Sequence, residues 1–527
     1  MSNLQSGHEA AEVCDLLVVG GGATGLGVAL QAALEGRSVL LVEASDFASG
    51  TSSRSTKLLH GGVRYLAQGR LRLVREALRE RATVLNLAPH LAQPLSFVVP
   101  AAGWLRWAWT GLGLKLYQWL AGPLSLGDTV ALSRQLLAQG FPGMAGQMGQ
   151  AVAGMRYWDG QFEDARLALA LAQTAQRAGA SVHNHTRVTG LNPVDNGWQV
   201  RLLDERRGTR RTVQARCVVN AAGVWVDELR QMVQPQLPAG PPLDALVTAS
   251  QGVHLVVTRA CLPLREAVLI PRTADGRVLF AVPWLGATLI GTTDTPRSDA
   301  PREPQPMAEE LEFLFRETHN AFGLMLLPGD VRSVWVGLRP LVGSAGQGDA
   351  AQSTSQMSRE HLIRREAAGM VTVTGGKWTT YRSMAEEVLF VLQTHGDVPP
   401  PPNGPVDTRQ HRLVGAPEPS GSKRHSLSEA PGWHLWGSQV EQVRAMPGAQ
   451  RALGMGLTEG MVRFAARHEW AFTVEDMLAR RWRALFLDAR QAATMAPAVA
   501  ALLQEETGLE PRLGEFLELC QRYMLGD

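Results

Sequence analysis

A glycine turn set between a strand and a helix restricts this chain more than any other feature. Residues 15–43, DLLVVGGGATGLGVALQAALEGRSVLLVE, read as a strand, a glycine turn, a helix and a second strand ending in an acid. That is one βαβ unit of about 30 residues. Gly20, Gly22 and Gly25 form GxGxxG at the start of the helix, where backbone N–H groups and the helix N-terminus meet a pyrophosphate. Glu43 stands where a carboxylate accepts hydrogen bonds from ribose hydroxyls, and an acid there disfavours a 2′-phosphate, so FAD or NAD is preferred over NADP. A glycine turn alone is a common structural device; strand, helix and acid in register make this one a dinucleotide site. No second GxGxxG stands in strand context, so a separate nicotinamide domain is not expected. One flavin, reduced by its own substrate, is the simpler arrangement.

With 527 residues the chain has room for about three domains. Its 51 Lys and Arg against 49 Asp and Glu give a net charge of +2, which excludes a nucleic-acid footprint. Charged residues make up 19%, below the typical ~25%, which leaves room for an apolar surface somewhere. Cys14, Cys217, Cys261 and Cys520 lie far apart with no paired spacing, so neither a disulfide framework nor a metal site is expected. The opening MSNLQSGHEAAEVC lacks the basic start and apolar run of an export signal, which points to the cytoplasm. The longest uncharged stretch, residues 82–105, is broken by Pro89, Pro94 and Pro100. A spanning helix needs ~20 mostly apolar residues, so none is expected.

Two further strands, CVVNAAG (217–223) and MVTVTGG (370–376), end in small residues that let a ligand approach the backbone. Between them VHLVVT (253–258), VLFAVPW (278–284) and TLIGTTD (288–294) alternate like strands of an antiparallel sheet. The fold expected is α/β, a Rossmann-type FAD-binding domain with an inserted mixed or antiparallel substrate sheet and an α-helical C-terminal domain. Residues 1–14 read as a tail and 15–392 as the FAD-binding domain, interleaved with a cap near 90–160 and 240–340. The Pro-, Gly- and Ser-rich residues 393–432 read as a linker and 433–527 as helical, with a surface loop at 343–357.

TSSRSTKLLHGGVRYL (51–66), EDARLALA (163–170), NAAGVWVD (220–227), IGTTDTP (290–296), GLRPL (337–341) and GGKWTTYR (375–382) occur in that order. Together they resemble the FAD-dependent glycerol-3-phosphate dehydrogenases, members of the D-amino-acid-oxidase-like flavoproteins. HEWAFTVEDMLARR (468–481) echoes that family's helical C-terminal domain. The resemblance implies oxidation of sn-glycerol 3-phosphate to dihydroxyacetone phosphate by hydride transfer to FAD, with electrons passed to membrane quinone. It implies Arg64 with Tyr65, Arg339 and Lys377 as the substrate clamp, because a phosphate dianion wants guanidinium forks and an ammonium. It implies His254 as the base, a neutral imidazole being suited to taking a hydroxyl proton. His60 is the competing candidate, although its HGG setting reads as backbone packing beside the flavin. The flavin is expected on Gly20, Gly22, Ala23, Thr24, Gly25 and Glu43, with Ser52, Ser53 and Lys57 lining the ring side and Gly223 and Gly376 giving close backbone approach. Asp164 and Arg166 read as structural, and Trp225 as packing. Where relatives carry KGSH or KGTH, this chain has Gln251, Gly252, Val253 and His254, which removes a Lys and a hydroxyl near the base.

The stretch GWLRWAWTGLGLKLYQWLAG (103–122) mixes four Trp and a Tyr with Arg106 and Lys115, the composition of a protein dipping into lipid headgroups. A buried helical hairpin is the alternative. A quinone-linked enzyme must meet a bilayer, so peripheral or monotopic association with the inner face of the cytoplasmic membrane is the expectation. An oxidase using dioxygen, a relative acting on amino or hydroxy acids, and a non-catalytic flavin-bound membrane-associated protein remain open, as does a homodimer.

Overall fold

The computed structural model describes residues 12–66, 69–233, 243–273, 276–343, 361–367, 369–418 and 425–526. The elements that frame the site are, in chain order, β1 (Glu12–Val19), α1 (Ala23–Leu34), β2 (Val39–Val42), β3 (Ala92–Ala101), α2 (Trp104–Ala121), β4 (Ala153–Phe162), β5 (Thr209–Asn220), β6 (Val247–Thr258), β7 (Ala287–Gly291), β8 (Val331–Val342), β9 (Met370–Gly375) and α3 (Leu513–Tyr523).

β1 pairs in parallel with β2 on one side and β5 on the other, and β9 continues the parallel order beyond β5. Leu16, Leu17, Val18, Leu40 and Leu41 are buried because both sheet faces are covered, the usual reason parallel strands read as continuous apolar runs. One face packs on α1 and on the helices Asp164–Arg177 and Tyr381–Thr394; the other packs on Val188, Leu191, Trp198 and Leu202 of an antiparallel pair. Gly25 lets α1 sit tightly on the turn, since a Cβ there would overlap the Gly20 carbonyl oxygen.

The inserted sheet is the expected one, with more strands. β6 lies antiparallel between β7 and β8, and the order runs on through Leu279–Trp284 and Ala267–Ile270 to β3 and β4. Ala267–Ile270 runs parallel to β3, which makes the sheet mixed. The surface loop expected at 343–357 falls almost wholly outside the described residues.

C-terminal helices Glu459–His468, Ala489–Thr507 and α3 follow a stretch of turns and short helical pieces. They are fastened to the dinucleotide domain by buried ions: Asp46 accepts from Arg480 and Arg481 as well as from Asn184, and His185 Nε2 lies 3.0 Å from Asp476 Oδ2. The four described cysteines are free.

The aromatic stretch forms one helix, α2, and not a buried hairpin. Leu105, Trp109, Leu112, Leu116 and Trp119, spaced four, three, four and three residues apart, make an exposed stripe, while Leu114, Tyr117 and Ala121 face inward. Trp109 and Trp119 are 68% and 69% exposed. No described helix is long and apolar enough to cross a membrane.

Candidate active site

Between the two sheets lies a cavity of about 1370 Å³. It exceeds the ~300–1,000 Å³ of a typical small-ligand site, as a dinucleotide and a substrate together require. Gly20, Gly22, Ala23, Thr24, Glu43, Ser52 and Gly223 line it at the carboxyl ends of the parallel strands. His60, Tyr65, His254, Arg339, Gly376 and Lys377 line it beneath the inserted sheet.

At the first end the turn is tailored to a bulky anion. Glu43 accepts from the backbone of Gly21 (2.7 Å) and Ser45 (2.8 Å), which anchors the carboxylate at the end of β2. Burial raises its pKa, and those two N–H donors pull it back down. Ser52 does line the cavity, but its hydroxyl accepts from Ala23 N at 3.0 Å, so it serves the glycine turn rather than the ring side. Gly223, at φ +62°, has nothing within 4 Å of where a Cβ would stand, which leaves its backbone open to a ligand.

Three expected cofactor residues do not line the cavity. Gly25 is spent on the packing of α1. Lys57 is fully buried, its Nζ donating to Asp164 (2.7 Å) and the Ser53 carbonyl (2.8 Å) and lying 4.7 Å from the Trp335 ring centre. Burial lowers its pKa to about 7, against the pull of Asp164. Ser53 is buried beside it. Along residues 52–60 the cavity is lined by Ser52, Arg54, Ser55, Thr56, Leu58 and His60, while Ser53, Lys57 and Leu59 are turned into the core. Asp164, which also accepts from Ser55, holds this segment, a structural role as expected.

At the second end β6 brings in His254, buried and stacked on Trp335 across the sheet (centroids 4.2 Å, planes 21°). Its Nε2 lies 3.0 Å from Thr56 Oγ1, and Nδ1 is buried with no hydrogen-bond partner among the described residues. Burial, reinforced by the charges of Arg339 and Lys57, holds its pKa well below 6.5. The imidazole is therefore neutral at pH 7. Arg339 donates to Thr292 Oγ1 (3.0 Å) and the Thr293 carbonyl (3.1 Å), with Asp294 at 3.4 Å, so the IGTTD strand end aims the fork. Gly252 clears its path, because a Cβ there would overlap the Arg339 guanidinium. Lys377 Nζ sits 4.0 Å from the Tyr65 ring centre. Arg64 lies in the short helix Val63–Leu66, with its side chain outside the described residues.

Gln251, the altered residue of the QGVH segment, does not reach the His254 ring. Gln251 points to the opposite face of β6, where it donates to Glu310 (2.6 Å) and the Gln305 carbonyl (2.9 Å) and accepts from Arg297 (2.8 Å). Only Gly252 and His254 of the four line the cavity. Support for His254 comes instead from Thr56 and Trp335, contacts between segments that sequence spacing does not reveal. Asp159, another cavity residue not anticipated, accepts from Arg81 (3.0 Å) and the Tyr117 hydroxyl (2.8 Å), and Tyr117 in turn accepts from Gly61 N (2.8 Å).

The residues present fit FAD: a glycine cradle with room for the diphosphate, an acid at the ribose position and a cavity long enough to continue beneath the inserted sheet. Two family models match the chain, "FAD dependent oxidoreductase" over residues 15–382 and "C-terminal domain of alpha-glycerophosphate oxidase" over residues 406–512. Fold and site thus define a flavin-dependent oxidoreductase. A mitochondrial glycerol-3-phosphate dehydrogenase of Arabidopsis thaliana is 36% identical, across 94% of this chain and 83% of that protein. The mitochondrial glycerol-3-phosphate dehydrogenase of Homo sapiens is 35% identical, across 97% and 73%. The glycerol-3-phosphate dehydrogenase of Bacillus halodurans, solved with FAD, matches with a TM-score of 0.74 at 28% identity, covering 97% of this chain and 95% of that one. The chain belongs to the FAD-dependent glycerol-3-phosphate dehydrogenases.

Proposed function

We propose that this protein oxidises sn-glycerol 3-phosphate to dihydroxyacetone phosphate and passes the electrons to a membrane quinone. The observation that carries the reading is the convergence of a guanidinium fork, an ammonium and a neutral buried imidazole on the cavity that begins at the glycine turn. When bound, FAD supplies the hydride acceptor. Arg339 and Lys377 bind the phosphate, with Arg64 and Tyr65 completing the clamp, because charge-assisted and bidentate hydrogen bonds discriminate a dianion best. Gripping the phosphate fixes the carbinol against the cofactor, which is worth more than any single contact. His254 then receives the hydroxyl proton.

The exposed stripe of α2, flanked by Arg106 and Lys115, supports contact with a bilayer, where a quinone acceptor resides. We assign it to the inner face of the cytoplasmic membrane. Replacing Trp109 and Trp119 by Ser is expected to lower binding to anionic lipid vesicles while leaving turnover with a soluble acceptor unchanged. The acceptor is tested by following turnover under air and under argon with a short-chain quinone. Full turnover under argon and little hydrogen peroxide under air are expected; stoichiometric peroxide at a rate indifferent to quinone would overturn this part.

A further inference from the structure

The segment joining Thr295–Arg297 to the helix Ala308–Phe322 passes from the inserted sheet across the dinucleotide end of the cavity, and besides the Gln251 bond to its Gln305 carbonyl it is tied at Ala300 and Glu303. Trp225 Nε1 donates to the Ala300 carbonyl at 2.7 Å. Glu303 accepts both arms of the Arg54 guanidinium, at 2.9 and 2.6 Å, and the hydroxyl of Tyr523 from α3 at 2.9 Å. Between these ties Arg302 lines the cavity with Glu43, Trp225 and Glu228. Its guanidinium carbon lies 5.1 Å from the Trp225 ring centre and Nη2 lies 3.8 Å from a Glu228 oxygen, too far for a hydrogen bond. Its charge opposes part of the rise that burial causes in the Glu43 pKa, so the two groups share one electrostatic environment. With a side chain 46% exposed, Arg302 is not needed to fill a core.

We propose that Arg302 is a cofactor-binding residue, a cationic clasp that the strap 299–303 holds over the diphosphate of FAD from the cap side. The glycine turn offers the diphosphate backbone N–H groups from the parallel sheet alone. A guanidinium carried by the opposite domain adds a counter-charge from the other side, and its planar fork suits paired phosphate oxygens. The ties of Glu303 to Arg54 and Tyr523 hold the strap from which Arg302 projects.

The test follows FAD release from the purified holoenzyme after dilution, by the fluorescence of free flavin. Arg302→Met keeps the stem against Trp225 and removes only the charge; about tenfold faster release is expected, the loss of one charge-assisted contact. Added salt should speed release from the wild type and leave the Met variant unaffected, because salt screens an exposed charge. Arg302→Lys should recover most of the retention, and KM for sn-glycerol 3-phosphate at saturating FAD should stay at the wild-type value. Release from Arg302→Met at the wild-type rate and salt dependence would overturn the proposal, as would Met and Lys variants that are equally weakened.

Discussion

Burial at His254 keeps the imidazole neutral, and it leaves Nδ1 without a hydrogen-bond partner among the described residues. In the proposed role of base the ring must be neutral to work, so activity is expected to fall only as pH drops through its lowered pKa. The acid limb of the kcat/KM profile should therefore lie below pH 6.5. His254→Asn should cost about 10²–10⁴ in kcat with FAD still bound, read from turnover and the flavin spectrum. Gly252→Ala should raise KM for sn-glycerol 3-phosphate far more than it lowers kcat, since the new methyl displaces the Arg339 fork. Motif order carries the resemblance that singles out His254, Arg339 and Lys377 in the sequence, whereas their spacing alone reads as a packed histidine and ordinary ion pairs. It was not enough for Lys57 or Ser53. A motif says which residues travel together, not which side of an extended segment each faces, and Asp164, more than a hundred residues away, draws Lys57 into the core.

At the scale of the element, α2 joins an outer apolar stripe to the inner wall of the site. Tyr117 accepts from Gly61 of the HGG turn and donates to Asp159, so one buried hydroxyl sets the turn that leads into Arg64 and Tyr65. Tyr117→Phe takes this partner from the Gly61 N–H and from one oxygen of Asp159, which keeps Arg81, and should destabilise the fold by about 1–3 kcal/mol in denaturant unfolding. It should also raise KM with little change in kcat. Composition alone did not decide whether this stretch is an exposed helix or a buried hairpin, since apolar residues ring it almost completely. The choice depended on what packs beneath Leu114 and Tyr117, which is long-range information. The βαβ unit was legible because strand, turn and helix are each encoded locally.

The C-terminal helices make contacts with both the inserted sheet and the dinucleotide domain. Phe486 packs on Trp335, which supports His254, and Tyr523 packs on Phe486 while its hydroxyl holds Glu303. Beneath the dinucleotide domain, His185 pairs with Asp476. Burial opposes charge on His185, but the neighbouring Asp476 outweighs it and the pKa is raised. A raised pKa means that the pair's contribution is complete below the unfolded value near ~6.5 and is lost as pH rises through the folded one. Thermal stability should decline on the alkaline side in the wild type, and His185→Asn should lose that decline; parallel melting curves for the two would contradict it. These domain contacts were invisible beforehand, because buried ion pairs between distant segments leave no periodic trace.

Anaerobic mixing of the purified yellow holoenzyme with sn-glycerol 3-phosphate is the most direct measurement. The account predicts that flavin absorbance bleaches at a rate that saturates with substrate, and that Arg339→Met shifts the half-saturating concentration upward by about tenfold or more. An absorbance unchanged at millimolar substrate, with FAD bound, would contradict it.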